Sequence, residues 1–213
     1  VLRQGRRREN PALIRTGFLG LSAAANLVEN GEEALQNLEQ ARPFIEDGGD
    51  LKDWPNYHFN RGSALILLGR VEEAAKELES TMGLTATAGD NPAAVVMCAN
   101  CGYLLSGALL FSGWPERAVQ AAEKSFADSR TVMSHASAAR AVAMLGMANY
   151  HLAHFTAADE QNKMALRMAI PMQNTRLLGQ IYANMAQQAL TLGRIDEGWR
   201  LAGQALEVSR KSN

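Results

Sequence analysis

A small residue recurs along this chain at a nearly fixed interval, and each copy has a second small residue twelve positions later. The pairs are Ser22 with Ala34, Gly62 with Ala74, Ser106 with Ala118, Gly146 with Ala158, and Ala186 with Gly198. Successive pairs lie 40, 44, 40 and 40 residues apart. A period in this range is the mark of stacked helical hairpins. Where two helices cross that closely, only Gly, Ala or Ser fits, and a bulky residue would overpack the contact at a cost of about 1–3 kcal/mol. A stack of this kind buries one continuous core whatever its length. No alternating β-branched run suggests a strand, so the expected class is all-α.

Each unit reads as an A helix, a tight turn and a B helix. The first A helix is expected over Pro11 to Glu29 and its B partner over Glu32 to Glu46. Later A helices start near Asp53, Asn91, Met133 and Gln173, and later B helices near Val71, Pro115, Thr156 and Ile195. Between A and B stand Asn30-Gly31, Gly69-Arg70, Gly113-Trp114 and Gly193-Arg194, where glycine can end a helix in the left-handed conformation. The fourth unit breaks this pattern with Ala153-His154-Phe155. Acidic residues follow in the first turn of B, among them Glu32, Glu72, Glu116 and Asp196, and complement the positive end of the helix dipole. Asp50, Asp90 with Asn91, and Ser134 are candidate N-caps. The expected organisation is a basic linker over residues 1–10 and one repeat domain over 11–213. Its units span about 11–50, 51–90, 91–131, 132–171 and 172–213, within a fragment of a longer protein.

The twelve-residue gap between small residues of paired helices resembles that of tetratricopeptide repeats, over nearly the whole chain. The resemblance implies a right-handed α-solenoid of about five hairpins. The period near 40 exceeds the usual value of about 34, and the proline that closes each standard unit is missing, so longer helices are expected. Phrases such as Leu192-Gly193-Arg194-Ile195-Asp196-Glu197-Gly198 are similar in style to the C-terminal arrays of large bacterial LuxR-type, nucleotide-switch regulators. That likeness implies a protein-, peptide- or effector-binding module of a bacterial transcriptional regulator. The alternatives are a free-standing adaptor scaffold, or the array that follows a nucleotide cyclase.

Composition narrows the partners. Charged residues make up 20% and the net charge is -1, so no global field recruits nucleic acid. DNA would be reached only through another domain. Cys98 and Cys101 are too few for a disulfide framework and suit a reducing cytoplasm. The stretch from Asn91 to Pro115 has no charge and is apolar enough for a membrane span. It fits the repeat register, however, and is expected to be a buried central helix, with no membrane partner. Exposed faces at the ends of such an array could pair two copies into a homodimer.

No nucleotide-binding, metalloprotease or nucleophile-elbow motif occurs, and no acid, base or nucleophile can be nominated, so neither an enzyme nor a cofactor is expected. Cys98 and Cys101 form a CxxC without the further ligands that zinc requires. His151 and His154 lack a carboxylate at helical spacing. Arg3, Arg6, Arg7 and Arg8 form a short basic run. The resemblance implies that the A helices line a concave groove. By register this selects Asn56, Phe59, Asn60, Ser63, Asn100, Tyr103, Arg140, Met144, Met147, Tyr150, Gln180, Asn184 and Gln187, with Thr16 and Asn26 from the first unit. Amides there can bond an extended peptide backbone, and Met and aromatic side chains suit adaptable apolar contact. A clamp for acidic chaperone tails is not expected, since Leu19, Ala23 and Leu104 fill matching places and only Asn60 agrees.

Overall fold

The computed structural model describes residues 1–48, 53–87 and 91–211. Among them lie eleven α-helices, one 3-10 turn and no strand. Helix α1 spans Leu2–Arg7. The five A helices are α2 (Pro11–Leu27), α4 (Asp53–Leu67), α6 (Pro92–Phe111), α8 (His135–His151) and α10 (Thr175–Thr191). Their B partners are α3 (Gly31–Glu46), α5 (Val71–Ala86), α7 (Pro115–Thr131), α9 (Phe155–Ala169) and α11 (Ile195–Arg210). Each A helix packs on its own B helix, and each B helix packs on the next A helix. The apolar α6 is the central element, packed against α4, α5, α7 and α8, with Leu105 and Leu109 buried beside Leu65 and Leu78.

The paired small residues stand where A and B cross. Ser22, Ala34, Ala74, Ser106, Ala118 and Ala158 are all fully buried. A Cβ built on Gly62 would meet Leu78 Cγ at 2.8 Å, and one on Gly198 would meet Leu190 Cδ2 at 2.5 Å. The space beneath the crossing is filled from the B helix, by Leu38 and Leu78 in the first two units. In the fourth unit Asn162 takes that place, and a Cβ on Gly146 would run into it. Its amide donates to Gln188 Oε1, and Gln188 in turn donates to the Phe155 carbonyl, so these hydrogen bonds tie α9 to α10 and join the fourth unit to the fifth.

All five A-to-B turns share one geometry. The residue seven positions after the small A residue is left-handed: Glu29, Gly69, Gly113, Ala153 and Gly193, with φ between 59° and 83°. The next N–H then donates back to a carbonyl five residues earlier, at 2.9 Å in every unit. Two expectations change here. In the first unit the left-handed residue is Glu29, while Gly31 lies inside α3, where a Cβ would meet the Ala64 carbonyl at 2.9 Å. In the fourth unit the turn is the same as elsewhere, made by Ala153. A left-handed alanine costs about 1–2 kcal/mol, so Ala153→Gly is expected to raise stability by about 1 kcal/mol after the glycine's own entropy cost. A rise in Tm checks this.

Residues 1–10, expected as a basic linker, include a helix that packs. Its exit copies the exit of a B helix. Glu9 is left-handed, as are Met133 after α7 and Gln173 after α9, and Asn10, Ser134 and Asn174 follow as N-caps. The Asn10 N–H donates to the Gly5 carbonyl at 2.9 Å, as the Ser134 N–H does to Ser129 at 2.8 Å. Gly5 is buried: its Cβ would meet Ile14 N at 2.8 Å, and a Cβ on Gly17 would meet Leu2 Cβ at 2.7 Å. The arginines within this short helix hid the packing contacts of Leu2 and Gly5. Of the expected N-caps, Asn91 and Ser134 accept from the first turn of their helices, and Asp50 and Asp90 lie outside the described residues.

The joint between the first two units combines apolar packing with a buried ion pair. Arg15 Nε pairs with Asp53 at 2.8 Å, and both side chains are only 7% exposed. The same guanidinium donates to the carbonyls of Phe44 and Gly48. It thereby ties α2 and the end of α3 to the start of α4.

Candidate binding channel on the A helices

A helices touch the next A helix in succession, whereas B helices pack chiefly on A helices. The A helices therefore lie on the inner side of the curve. Glu29, just past α2, reaches Arg176 at the start of α10, so the curve brings the first unit to the fifth.

Helical geometry defines the open strip. Positions six before, one after and five after the small A residue fall within roughly 40° of one another around the helix at 3.6 residues per turn. The first set is Thr16, Asn56, Asn100, Arg140 and Gln180. The second is Ala23, Ser63, Gly107, Met147 and Gln187, and the third is Leu27, Leu67, Phe111, His151 and Thr191. Every one of these side chains is half-buried or exposed. The first set forms a polar ladder running from unit to unit.

Seven of the thirteen expected residues stand on this strip: Asn56, Ser63, Asn100, Arg140, Met147, Gln180 and Gln187. The other six lie between adjacent A helices. Phe59 and Tyr103 point forward, three before the small residue, and Asn60, Met144 and Asn184 point back, two before it. Asn60 and Met144 are buried, at 8% and 7% exposure, so the structure removes them from an open surface. The Asn26 amide donates to the Asn60 carbonyl at 2.9 Å, which fixes α2 against α4. Tyr150 Oη shares a 2.7 Å hydrogen bond with Thr191 Oγ1 of the adjacent A helix, 41 residues along the chain. Ser137 donates to Asn100 Oδ1 at 2.9 Å, and the Arg140 guanidinium lies over the Tyr103 ring at 5.5 Å. Burial pushes the Tyr103 phenol above its ordinary range, so it stays protonated there.

The residues five after the small position were missed. Leu27 is 78% exposed and Phe111 68%, and they give the strip apolar edges. The repeat register alone would have found them, since that position is exposed in all five units.

Charge is divided between the two sides. The A helices hold a single carboxylate, Asp53, which is buried against Arg15. Every B helix holds at least two. Arg61 and His58 on α4 both pair with Glu77 of α5, with His58 Nδ1 at 2.6 Å, and Trp54 stacks on the imidazole. Burial raises the Glu77 pKa, but these two partners outweigh it and hold the carboxyl below its ordinary value.

The remaining candidates for chemistry are absorbed by packing. Cys101 is buried, and burial pushes its thiol far above its ordinary pKa, away from the thiolate that reacts. Cys98 Sγ lies 3.0 Å from Thr85 Oγ1. His154 Nδ1 lies 3.1 Å from Asn149 Oδ1, and His151 stands edge-on to Tyr150. Among the described residues no three His, Cys, Asp or Glu side chains converge as a metal site would require.

No family model and no curated protein matches the chain. Solved structures do. Aspartyl phosphate phosphatase F from Bacillus subtilis superposes with a TM-score of 0.75 at 13% identity, covering 99% of this chain and 55% of that one. The chain thus spans about half the length of that structure. The kinesin light chain with nearly identical tetratricopeptide-like repeats from Podosopora anserina gives 0.67 at 17% identity, covering 95% of this chain and 97% of that one. The fold is a tetratricopeptide-like solenoid. A signal transduction ATPase with a tetratricopeptide repeat sensor, from Pyrococcus horikoshii, also aligns over 96% of this chain and 34% of its own, with a TM-score of 0.65 at 15% identity. Within the tetratricopeptide-like array described above, the A-helix strip is the inner wall, and the paired small residues set the hairpin crossings.

Proposed function

We propose that this tetratricopeptide-like array binds a segment of another protein along the A-helix strip. In this reading it serves as the sensor and interaction module of a bacterial transcriptional regulator, and an occupied channel biases an adjoining switch or DNA-binding domain. The observation that carries the binding reading is the polar ladder of Thr16, Asn56, Asn100, Arg140 and Gln180. It runs through all five units beside Met147 and Phe111 and is free of carboxylates. Uncharged amides can match the repeating N–H and C=O groups of an extended chain, and the apolar edges can take its side chains. The array of the Pyrococcus horikoshii protein is described as a sensor within a signal transduction ATPase, which favours a sensor role here. The match to a kinesin light chain array favours the second reading, a cytoplasmic adaptor scaffold.

The binding reading is tested by panning a random-peptide phage library on the folded chain. Gly107 stands on the strip, and a Cβ there has only Met144 Sδ near it, at 3.7 Å, so Gly107→Trp blocks the channel without filling the core. Selected peptides are expected to lose at least about 90% of their binding to the Gly107→Trp protein, as measured by fluorescence anisotropy. Equal binding to both proteins, or no enrichment from the library, refutes the channel. The regulator and adaptor readings separate on the full gene. A nucleotide-switch module or a helix-turn-helix in the same chain supports the regulator.

A further inference from the structure

The cations of the A helices are neutralised with one exception. Arg15 is paired with Asp53, Arg61 with Glu77, and Arg176 with Glu29. Arg140 has no carboxylate within ion-pair distance among the described residues. Its guanidinium lies over the Tyr103 ring, 5.5 Å from the centroid, and also hydrogen-bonds the Tyr103 phenol. It is half-buried on α8, in the fourth rung of the polar ladder. Asn100 and Gln180 flank it on the rungs before and after, and Met147 is the next strip residue along its own helix. A partly desolvated guanidinium carries five N–H donors, more than the Tyr103 side chain can engage, and those that remain suit a planar carboxylate. The wall around it holds no acidic group that could compete with a ligand for those donors.

We infer that Arg140 is the charge-reading position of the channel, and that the bound segment carries an acidic side chain between uncharged, partly apolar residues. The inference rests on the binding reading given above and adds to it the chemistry of the partner. The carboxylate would sit against the Arg140 guanidinium. The amides of Asn100 and Gln180 would hold the backbone on either side, and Met147 would contact a neighbouring apolar side chain. A single guanidinium flanked by neutral amides matches one carboxylate's single charge. A phosphate dianion would meet only one cation there. The segment would therefore be recognised without phosphorylation. The absence of carboxylates along the strip also excludes basic segments less by repulsion than by leaving them no counter-charge.

The peptides selected by panning provide the probe. Those that lose binding to Gly107→Trp are expected to share an Asp or Glu. Changing that residue to Asn or Gln should weaken binding to the parent protein roughly ten- to a hundredfold. The same change should have little effect on Arg140→Met, which keeps an apolar stem over Tyr103 and loses the charge. Arg140→Lys should restore part of the preference. Circular dichroism and Tm of the Arg140→Met protein establish that the array is intact. If that variant does not fold, Arg140→Lys and Arg140→Gln carry the comparison. Peptides that are blocked by Gly107→Trp, yet lack an acid or bind Arg140→Met as tightly as the parent, overturn this inference and leave the channel standing. Phosphoserine placed at the acidic position and bound more tightly than Glu overturns the carboxylate assignment. Peptides that ignore both Gly107→Trp and Arg140→Met overturn the channel and the inference together.

Discussion

Asp53→Ala is expected to lower the stability of the array by about 3–5 kcal/mol, the usual cost of removing one partner of a buried ion pair. Both side chains of the Arg15–Asp53 pair are only 7% exposed, so water cannot replace the lost carboxylate. Arg15 would keep its hydrogen bonds to the Phe44 and Gly48 carbonyls, neutral acceptors that do not replace the charge of the Asp53 carboxylate. For a chain of this size the loss corresponds to a fall in Tm of about 10 °C. The damage should be local at first. In a solenoid each unit contacts only its neighbours, so the first unit would fray from the second while α8 to α11 stay protected. Hydrogen exchange would show amides of α2 and α3 opening early. The exposed Arg42–Glu46 pair is the control, with side chains 53% and 49% exposed. Glu46→Ala there should cost no more than about 1 kcal/mol. The double change Arg15→Met with Asp53→Ala should recover part of the loss, because it buries no lone charge. An Asp53→Ala protein that melts within a degree of the parent would show that the joint is held by apolar packing alone.

The contrast between what could and could not be foreseen follows from the length scale of each signal. The hairpins were legible because twelve-residue pairing and a 40-residue period repeat five times, and random agreement over so many turns is improbable. Three turns were legible from Gly69, Gly113 and Gly193, while Glu29 and Ala153 fell into line with them only once the backbone was seen. Helix α1 was not legible, since six residues show less than two turns of periodicity and its arginines carry the eye outward. The burial of Gly5 and the packing of the half-buried Leu2 are tertiary facts that local sequence does not encode. The channel was half legible for a similar reason. Membership of an A helix follows from the register. The angle at which each A helix meets the next decides whether a side chain is exposed or wedged. Asn56 and Asn60 are both asparagines one helical turn apart, yet Asn56 stands on the strip and Asn60 is 8% exposed against α2. Only the packing of successive A helices separates them. Leu27 and Phe111 escaped because an apolar residue on a helix is first read as core.

Gly102→Val is expected to lower stability by about 3 kcal/mol or more from overpacking. Gly102 stands one turn before the small residue Ser106, at the same helix crossing, and was not singled out by the repeat. A Cβ there would lie 2.7 Å from Ser125 Cβ, 3.0 Å from the Ala121 carbonyl and 3.1 Å from Ser125 Cα. None of these atoms is the movable end of a long side chain, so relief requires α6 and α7 to separate. That separation would also pull apart the 2.6 Å hydrogen bond from Ser125 Oγ to the Ala99 carbonyl, leaving a buried hydroxyl unpaired. Because α6 packs on four other helices, the opening would spread to the second and fourth units and lower the whole transition by about 6–12 °C. Gly107, five residues on in the same helix, is the internal control. Its Cβ would meet only Met144 Sδ at 3.7 Å, an ordinary contact. Gly107→Ala should therefore gain up to about 1 kcal/mol from helix propensity. Thermal melts of the two variants side by side distinguish a close crossing from a general intolerance of side chains in α6. If Gly102→Val and Gly107→Ala shift Tm in the same direction by similar amounts, the crossing at Gly102 is looser than the geometry requires.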